Sequence, residues 1–205
     1  MEIYEPWAVS IGLTNYESCD RINPILRKLA YKLKEKYPEG QGFAWAEECQ
    51  VYNSLPYSVN LFESDAAGRI KPMYPFYNFI VEAVKEYGED LGIDWNESSF
   101  IITEAWLNIN HPGAYQEFHE HGQNHISGCY YVDVPEDSGD FYIFNPLFSP
   151  VKPPLKKDAN PDVIPIRPEN GHLVLFRSNW WHRVGQNRSD KDRISLAFNI
   201  EVFNV

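Results

Sequence analysis

Basic residues are scarce in this sequence. Eighteen Lys and Arg face 29 Asp and Glu, giving a formal charge of −11 at pH 7. A polyanion needs a basic patch that displaces counterions. The only notable basic stretch, Lys152 to Lys157, is short and broken by prolines. No nucleic-acid partner is expected, and the acidity serves solubility. Cysteines are also few: Cys19, Cys49 and Cys129 are odd in number, far apart and without a CxxC. This excludes a disulfide framework and a zinc ribbon. No run approaches the ~20 apolar residues that cross a bilayer, so no membrane partner is expected. The opening MEIYEPWAVS has neither the basic segment nor the apolar run of a secretory signal, so a cytoplasmic location is expected. There is no internal repeat and no linker, and residues 1–205 are expected to form one domain.

Apolar residues make up 43% of the chain, enough for a core, and aromatic residues 15%, which favours strands. Residues 1–99 look partly helical and are expected to pack on a core formed by residues 100–205. Asn23-Pro24 predicts a helix start, a cap residue before Pro at the first helical position. Ile25, Leu26, Leu29 and Leu33 follow at helical spacing, and Pro38 and Gly40 close the helix. A second helix is expected from near Pro75, with Phe76, Phe79, Ile80, Ala83, Val84 and Tyr87 as its stripe and Gly88 or Gly92 at its end. Residues 43–62 are irregular, with room for one or two strands.

From residue 100 the period becomes two. Ile101, Thr103, Ala105, Leu107 and Ile109 alternate with Glu104, Trp106, Asn108 and Asn110, which marks a strand. Further strands are expected at 114–119, 126–134, 141–144, 163–167, 172–177 and 193–202. Gly/Pro clusters separate them, and the Pro-rich 146–161 is the expected mobile loop. Many short strands with such turns predict a mainly β chain with flanking helices (α+β), built as a sandwich or jelly roll.

Four of the six histidines, His111, His119, His121 and His125, fall close together. In His119-Glu120-His121, positions i and i+2 of a strand share a face, so two imidazoles side by side make half a metal site. His182 follows the strand 172–177 and a tight turn, flanked by Trp180 and Trp181, where it can either pack in the core or complete a three-ligand set. Eleven residues later comes Arg193. In the strand it opens, Ile194, Leu196, Phe198, Ile200 and Val202 share one face and Arg193, Ser195, Ala197 and Asn199 the other. An inward Arg and Ser are costly if unpaired, and a carboxylate ligand would satisfy both.

Several pieces keep their order and spacing: Trp106-Leu107-Asn108, Pro112-Gly113, His119-Glu120-His121, Ile126 to Val132, Gly171 to Phe176, Trp181 to Val184, and Arg193 to Asn199. Together they resemble the 2-oxoglutarate- and Fe(II)-dependent oxygenase superfamily. More narrowly, they resemble a small group of such oxygenases from bacteria and phages with an HxH motif. The resemblance covers residues 100–205. It implies a double-stranded β-helix (jelly roll, cupin-like) and an Fe(II) held by His119, His121 and His182. It also implies 2-oxoglutarate held by Arg193 and Ser195, and O2-dependent oxidation of a peptidyl or small-molecule substrate coupled to decarboxylation of 2-oxoglutarate to succinate. By face counting, Asn108 and Trp106 share a strand face and are expected to line the site, with Tyr130 assigned to the co-substrate. The superfamily's usual carboxylate ligand would sit at position 121, where this chain has His.

Alternatives follow from that departure. Glu117 or Glu120 could supply a carboxylate, though both lie at the wrong offset from His119. His125 is a spare candidate, read as surface or supporting, while His111 and His172 are read as structural. Three neutral histidines also suit 2-oxoglutarate-independent cupin dioxygenases and zinc enzymes, and a non-catalytic jelly-roll binding module is a third class. Tyr130 and Tyr131 point to opposite faces, so only one reaches the co-substrate. Gly139 and Gly171 are read as turn residues and Cys129 as a core residue. The substrate and the oligomeric state are not legible.

Overall fold

The computed structural model describes residues 9–40, 49–55, 61–62, 73–147 and 161–205. The basic stretch 152–157, and all of the Pro-rich loop except its two ends, lie outside these residues.

The first helix, α1 (Cys19–Lys36), starts earlier than Asn23-Pro24 predicts. Its opening turn is held by Cys19 N–H on the Tyr16 carbonyl and Arg21 N–H on the Ser18 carbonyl, which leaves Pro24 inside the helix. Asn23 is not a cap, because its side-chain oxygen accepts the Tyr130 hydroxyl at 2.7 Å. A tertiary bond has taken the group a local cap would use. Ile22, Leu26 and Ala30 form the buried stripe, and Ile25, Leu29 and Leu33 pack beside it. The second helix, α2 (Met73–Asp90), buries Phe76, Ile80, Ala83, Val84 and Tyr87. Pro75 sits in its first turn, where a missing N–H costs nothing. Gly88 lies within the helix, where a Cβ would meet Trp95 at 2.2 Å, and Gly92 follows at φ +83°.

Ten strands are described: β1 (Gly12–Asn15), β2 (Val51–Asn53), β3 (Ser98–Asn110), β4 (Gln116–His119), β5 (Ile126–Asp133), β6 (Phe141–Phe144), β7 (Val163–Ile166), β8 (His172–Arg177), β9 (His182–Val184) and β10 (Arg193–Asn204). They form a six-stranded sheet, β1-β8-β5-β10-β3-β2, and a four-stranded sheet, β4-β9-β6-β7, antiparallel throughout. The large sheet works on both faces. One face packs against the helices: Leu107, Ile109, Tyr130, Leu173, Leu175, Ile194, Leu196, Phe198 and Ile200 share a core with Ile22, Leu26, Phe76 and Ile80. The other meets the small sheet, where Tyr131, Val174 and Phe176 pack with Phe141, Ile143 and Val184. Gly128 makes the first contact possible, since a Cβ there would lie 2.1 Å from the Phe198 ring.

The expected face of β3 holds only in part. Ala105, Leu107 and Ile109 are buried, but Ile101 is 48% exposed and Ile102 is buried instead. The register against β10 shifts between Asn199 and Ile200, so that Asn199 faces Glu104 while Ile200 faces Ile102. One extra residue reverses the alternation on its far side. Past that bulge Glu104, Trp106 and Asn108 point into the space between the sheets.

Candidate metal and anion site

Pairing of β4 with β9 sets His119 opposite His182, with ring centroids 4.1 Å apart. His121 lies just past the end of β4. Its main-chain N–H is held by the Ser178 carbonyl at 2.7 Å, and its ring is 5.3 Å from that of His119 and 5.2 Å from that of His182. One ligating atom from each imidazole lies within 4.8 Å of the others. His119 Nδ1 donates to the Glu117 carbonyl (2.8 Å) and His182 Nδ1 to the Trp180 carbonyl (2.9 Å). Each bond fixes the tautomer that leaves the Nε2 lone pair free for a metal. Burial lowers all three pKa values, that of His121 to about 4 and that of His182 well below the usual range, with the neighbouring histidines adding to the effect for these two. The imidazoles are therefore neutral at pH 7, as ligation requires.

No carboxylate joins this cluster among the described residues. Glu117 and Glu120 are exposed. His125 is also exposed, and its Nδ1 accepts the Val202 N–H. His111 pairs with Asp192 at 2.6 Å and His172 faces Glu169.

The three histidines line a cavity of about 290 Å³ between the sheets, together with Trp106, Asn108, Tyr131, Arg193, Ser195 and Asn199. Arg193 is 1% exposed. One of its terminal nitrogens donates to the carbonyls of Gly139 (3.0 Å) and Ser138 (3.4 Å), its Nε has no partner, and no carboxylate among the described residues pairs with it. Gly139 is a turn residue at φ +90° whose carbonyl also holds the guanidinium. An isolated buried cation is expensive, and a bound anion removes that cost.

Tyr130 is a correction. It packs against Phe76 on the helix side, with ring centroids 4.6 Å apart, and its hydroxyl is spent on Asn23. Tyr131 lines the cavity instead. It is 1% exposed, and its hydroxyl has no oxygen or nitrogen partner. Burial holds its pKa well above 10, so it stays a donor. The reason is register: Tyr131 pairs with Ser195 across β5 and β10, and paired residues share a face. Cys129 also lines the cavity, its thiol pushed up by burial. Asn108 and Trp106 line it as expected, and the Asn108 side-chain oxygen is buried without a partner.

The residues fit both groups the resemblance implies. Three neutral imidazoles are a transition-metal donor set, and the unpartnered Arg193 Nε faces the same cavity as the Tyr131 hydroxyl, whose partner is the Cys129 thiol, so both can turn to a carboxylate. Fold and site thus define a cupin-like protein with a three-histidine cluster suited to a metal and a buried guanidinium suited to an anion between two sheets.

Residues 104–199, the segment holding every one of these side chains, match the family described as "Putative 2OG-Fe(II) oxygenase". Over this segment, just under half of the chain, the protein is similar to the 2OG-Fe(II) oxygenases. No curated protein matches in sequence. Among solved structures, a Pseudomonas putida prolyl-4-hydroxylase is similar at 17% identity and a TM-score of 0.52, over 94% of this chain and 88% of its own. A prolyl hydroxylase from Trichoplax adhaerens, in complex with a hypoxia inducible factor oxygen degradation domain peptide fragment, is similar at 12% identity and a TM-score of 0.59, over 93% of this chain and 83% of its own. An oxidoreductase of the 2OG-Fe(II) oxygenase family from Burkholderia pseudomallei matches at 15% identity and a TM-score of 0.40, and this chain spans 45% of its length. The two prolyl hydroxylases show the double-stranded β-helix expected from the sequence. No helix among the described residues is long and apolar enough to cross a membrane.

Proposed function

We propose that this chain couples decarboxylation of 2-oxoglutarate to succinate with O2-dependent hydroxylation of a peptidyl or small organic substrate. The observation that carries the reading is Arg193, a buried guanidinium without a carboxylate partner among the described residues, in the cavity that holds three neutral histidines. His119, His121 and His182 would hold Fe(II). Arg193, the Tyr131 hydroxyl and Ser195 would hold the distal carboxylate of 2-oxoglutarate, with Asn108 and Trp106 forming the wall beside them. When bound, the two groups supply the oxidising chemistry. The chain's own residues orient it: the β4–β9 pairing fixes two imidazoles, and the Glu117 and Trp180 carbonyls fix their tautomers. The buried Arg and Tyr exclude water from the anion end, where their bonds are stronger than in solvent.

A 2-oxoglutarate-independent dioxygenase or a zinc enzyme of the same fold would have no task for Arg193 and Tyr131. The peptide bound to the Trichoplax adhaerens enzyme makes a peptidyl substrate a fitting first class to screen. The test is anaerobic titration of the Fe(II)-loaded protein with 2-oxoglutarate. A visible charge-transfer band that saturates is expected. Bound metal with no band at any concentration overturns the reading.

A further inference from the structure

Three neutral ligands leave this centre without the negative charge that a carboxylate ligand brings to a dication. Among the described residues that line the cavity, one is acidic: Glu104. Arg193 is the only Lys or Arg among them, and it sits at the opposite end of the inward face of β10 from Asn199, the residue that pairs with Glu104. Asn199 lies six positions after Arg193, roughly 20 Å of strand at ~3.3 Å per residue. The cavity is therefore polarised along the strand, with its carboxylate at the Asn199 end.

The contacts of Glu104 tie it to His121. Its Oε2 accepts a hydrogen bond from Asn199 Nδ2 at 2.8 Å, and the same Nδ2 lies 3.3 Å from His121 Nδ1. The Asn199 amide cannot reverse cheaply, because its oxygen accepts the Ser127 hydroxyl at 2.8 Å and a carboxylate can only accept. Ser127 in turn is 2.9 Å from the Ser178 hydroxyl, and the Ser178 carbonyl holds the main chain of His121. Asn199 is 1% exposed and Ser127 3%, so this is a fixed chain of bonds. His119 and His182 donate Nδ1–H to main-chain carbonyls, whereas His121 Nδ1 has the Asn199 amide nitrogen beside it, and that contact brings the Glu104 carboxylate close to the ring.

We propose that Glu104, held beside the His121 ring by Asn199, supplies from outside the ligand set the negative charge the three imidazoles lack. The proposal rests on the metal-centre reading above. Groups just outside a ligand set commonly matter ten- to a hundredfold for metal affinity, and a dication doubles the effect of a nearby charge.

The test uses Co(II) as the probe, with affinity and the visible ligand-field bands as readouts. Glu104→Gln keeps an acceptor for the Asn199 amide and removes only the charge. It should weaken Co(II) binding roughly tenfold, and Glu104→Ala by up to about a hundredfold, while the thermal midpoint of the metal-free Glu104→Gln protein stays that of wild type. If Glu104→Ala does not fold, the near-isosteric Glu104→Gln still decides the question. Co(II) affinity of Glu104→Gln within twofold of wild type overturns the proposal and leaves the metal centre standing. Failure of wild type itself to take up Co(II) removes both.

Discussion

Replacing Arg193 with Met separates the two loads this residue carries. In the ligand-free protein its charge is buried at 1% exposure and hydrogen-bonds the Ser138 and Gly139 carbonyls, with the Asp140 carboxylate acting on it from further off. Removing it relieves an uncompensated charge, since a well-packed apolar substitute for buried ions is often neutral or better. Two carbonyls lose a donor, at about 1–3 kcal/mol each where no water replaces it. Gly139 is only partly buried, so water can reach that oxygen. The opposing effects place the stability change of the empty protein within about 2 kcal/mol of zero. For 2-oxoglutarate the balance is one-sided. Loss of one partner of a buried, hydrogen-bonded charge pair costs roughly 2–5 kcal/mol, which is about thirtyfold to several thousandfold in Kd at 1.4 kcal/mol per decade. Thermal shift with metal present reads both. At a hundred times its Kd a ligand stabilises by about 2.7 kcal/mol, worth roughly 5–10 °C for a chain of this size. Wild type should gain that with 2-oxoglutarate, and Arg193→Met should gain none while retaining its metal. A variant that binds 2-oxoglutarate within threefold of wild type would show that the anchor lies elsewhere.

The tyrosine pair gives a sharper contrast: Tyr131→Phe should weaken 2-oxoglutarate about three- to tenfold, the value of one hydrogen bond of about 0.5–1.5 kcal/mol, and Tyr130→Phe should leave its Kd unchanged, both measured by calorimetry. At the metal centre, His121→Asp should keep Fe(II), because oxygen suits this ion and the charge helps hold it. His121→Ala should lose much of its affinity and His125→Ala none; equal affinity of His121→Ala and wild type would remove His121 from the site. Acid should destabilise the metal-free protein, because the histidine pKa values are lowered on folding, to about 4 for His121. Their contribution is complete above the unfolded value of about 6.5 and is lost as pH falls through the folded values. Denaturant midpoints of wild type should therefore drop between about pH 6.5 and 4, and more gently in His182→Gln; parallel curves would contradict the assignment.

Much of the site was legible because its residues obey short-range rules. The HxH spacing announces a shared location, the alternation along Arg193–Asn199 announces which side chains turn inward, and both needed only parity. The errors came where parity depends on a partner strand. Tyr130 and Tyr131 cannot be told apart until β5 is paired with β10. Ile101 and Ile102 exchange places because a bulge opposite Asn199 and Ile200 leaves no local trace. The start of α1 was misplaced for a related reason, since Asn23 serves a tyrosine more than a hundred residues away. Glu104 stood on the polar side of β3 beside Trp106 and Asn108, but only the Asn199 contact marks it as more than a cavity wall.

The pairing of His119 with His182 has a bearing on how the molecule is assembled. β4 and β9 are four and three residues long, and their recorded partners are Gln116 with Val184 and His119 with His182. So slight a ladder has little hold of its own. An unfolded chain offers a metal the His119–His121 pair alone, a poor chelate, and the third ligand arrives only when β9 docks. A bound ion would then act as a clasp across the weakest seam of the small sheet, and its free energy of binding would count as folding free energy. Metal occupancy becomes a report on completed folding: chains that have not closed that seam should neither retain the ion nor be mistaken for working enzyme.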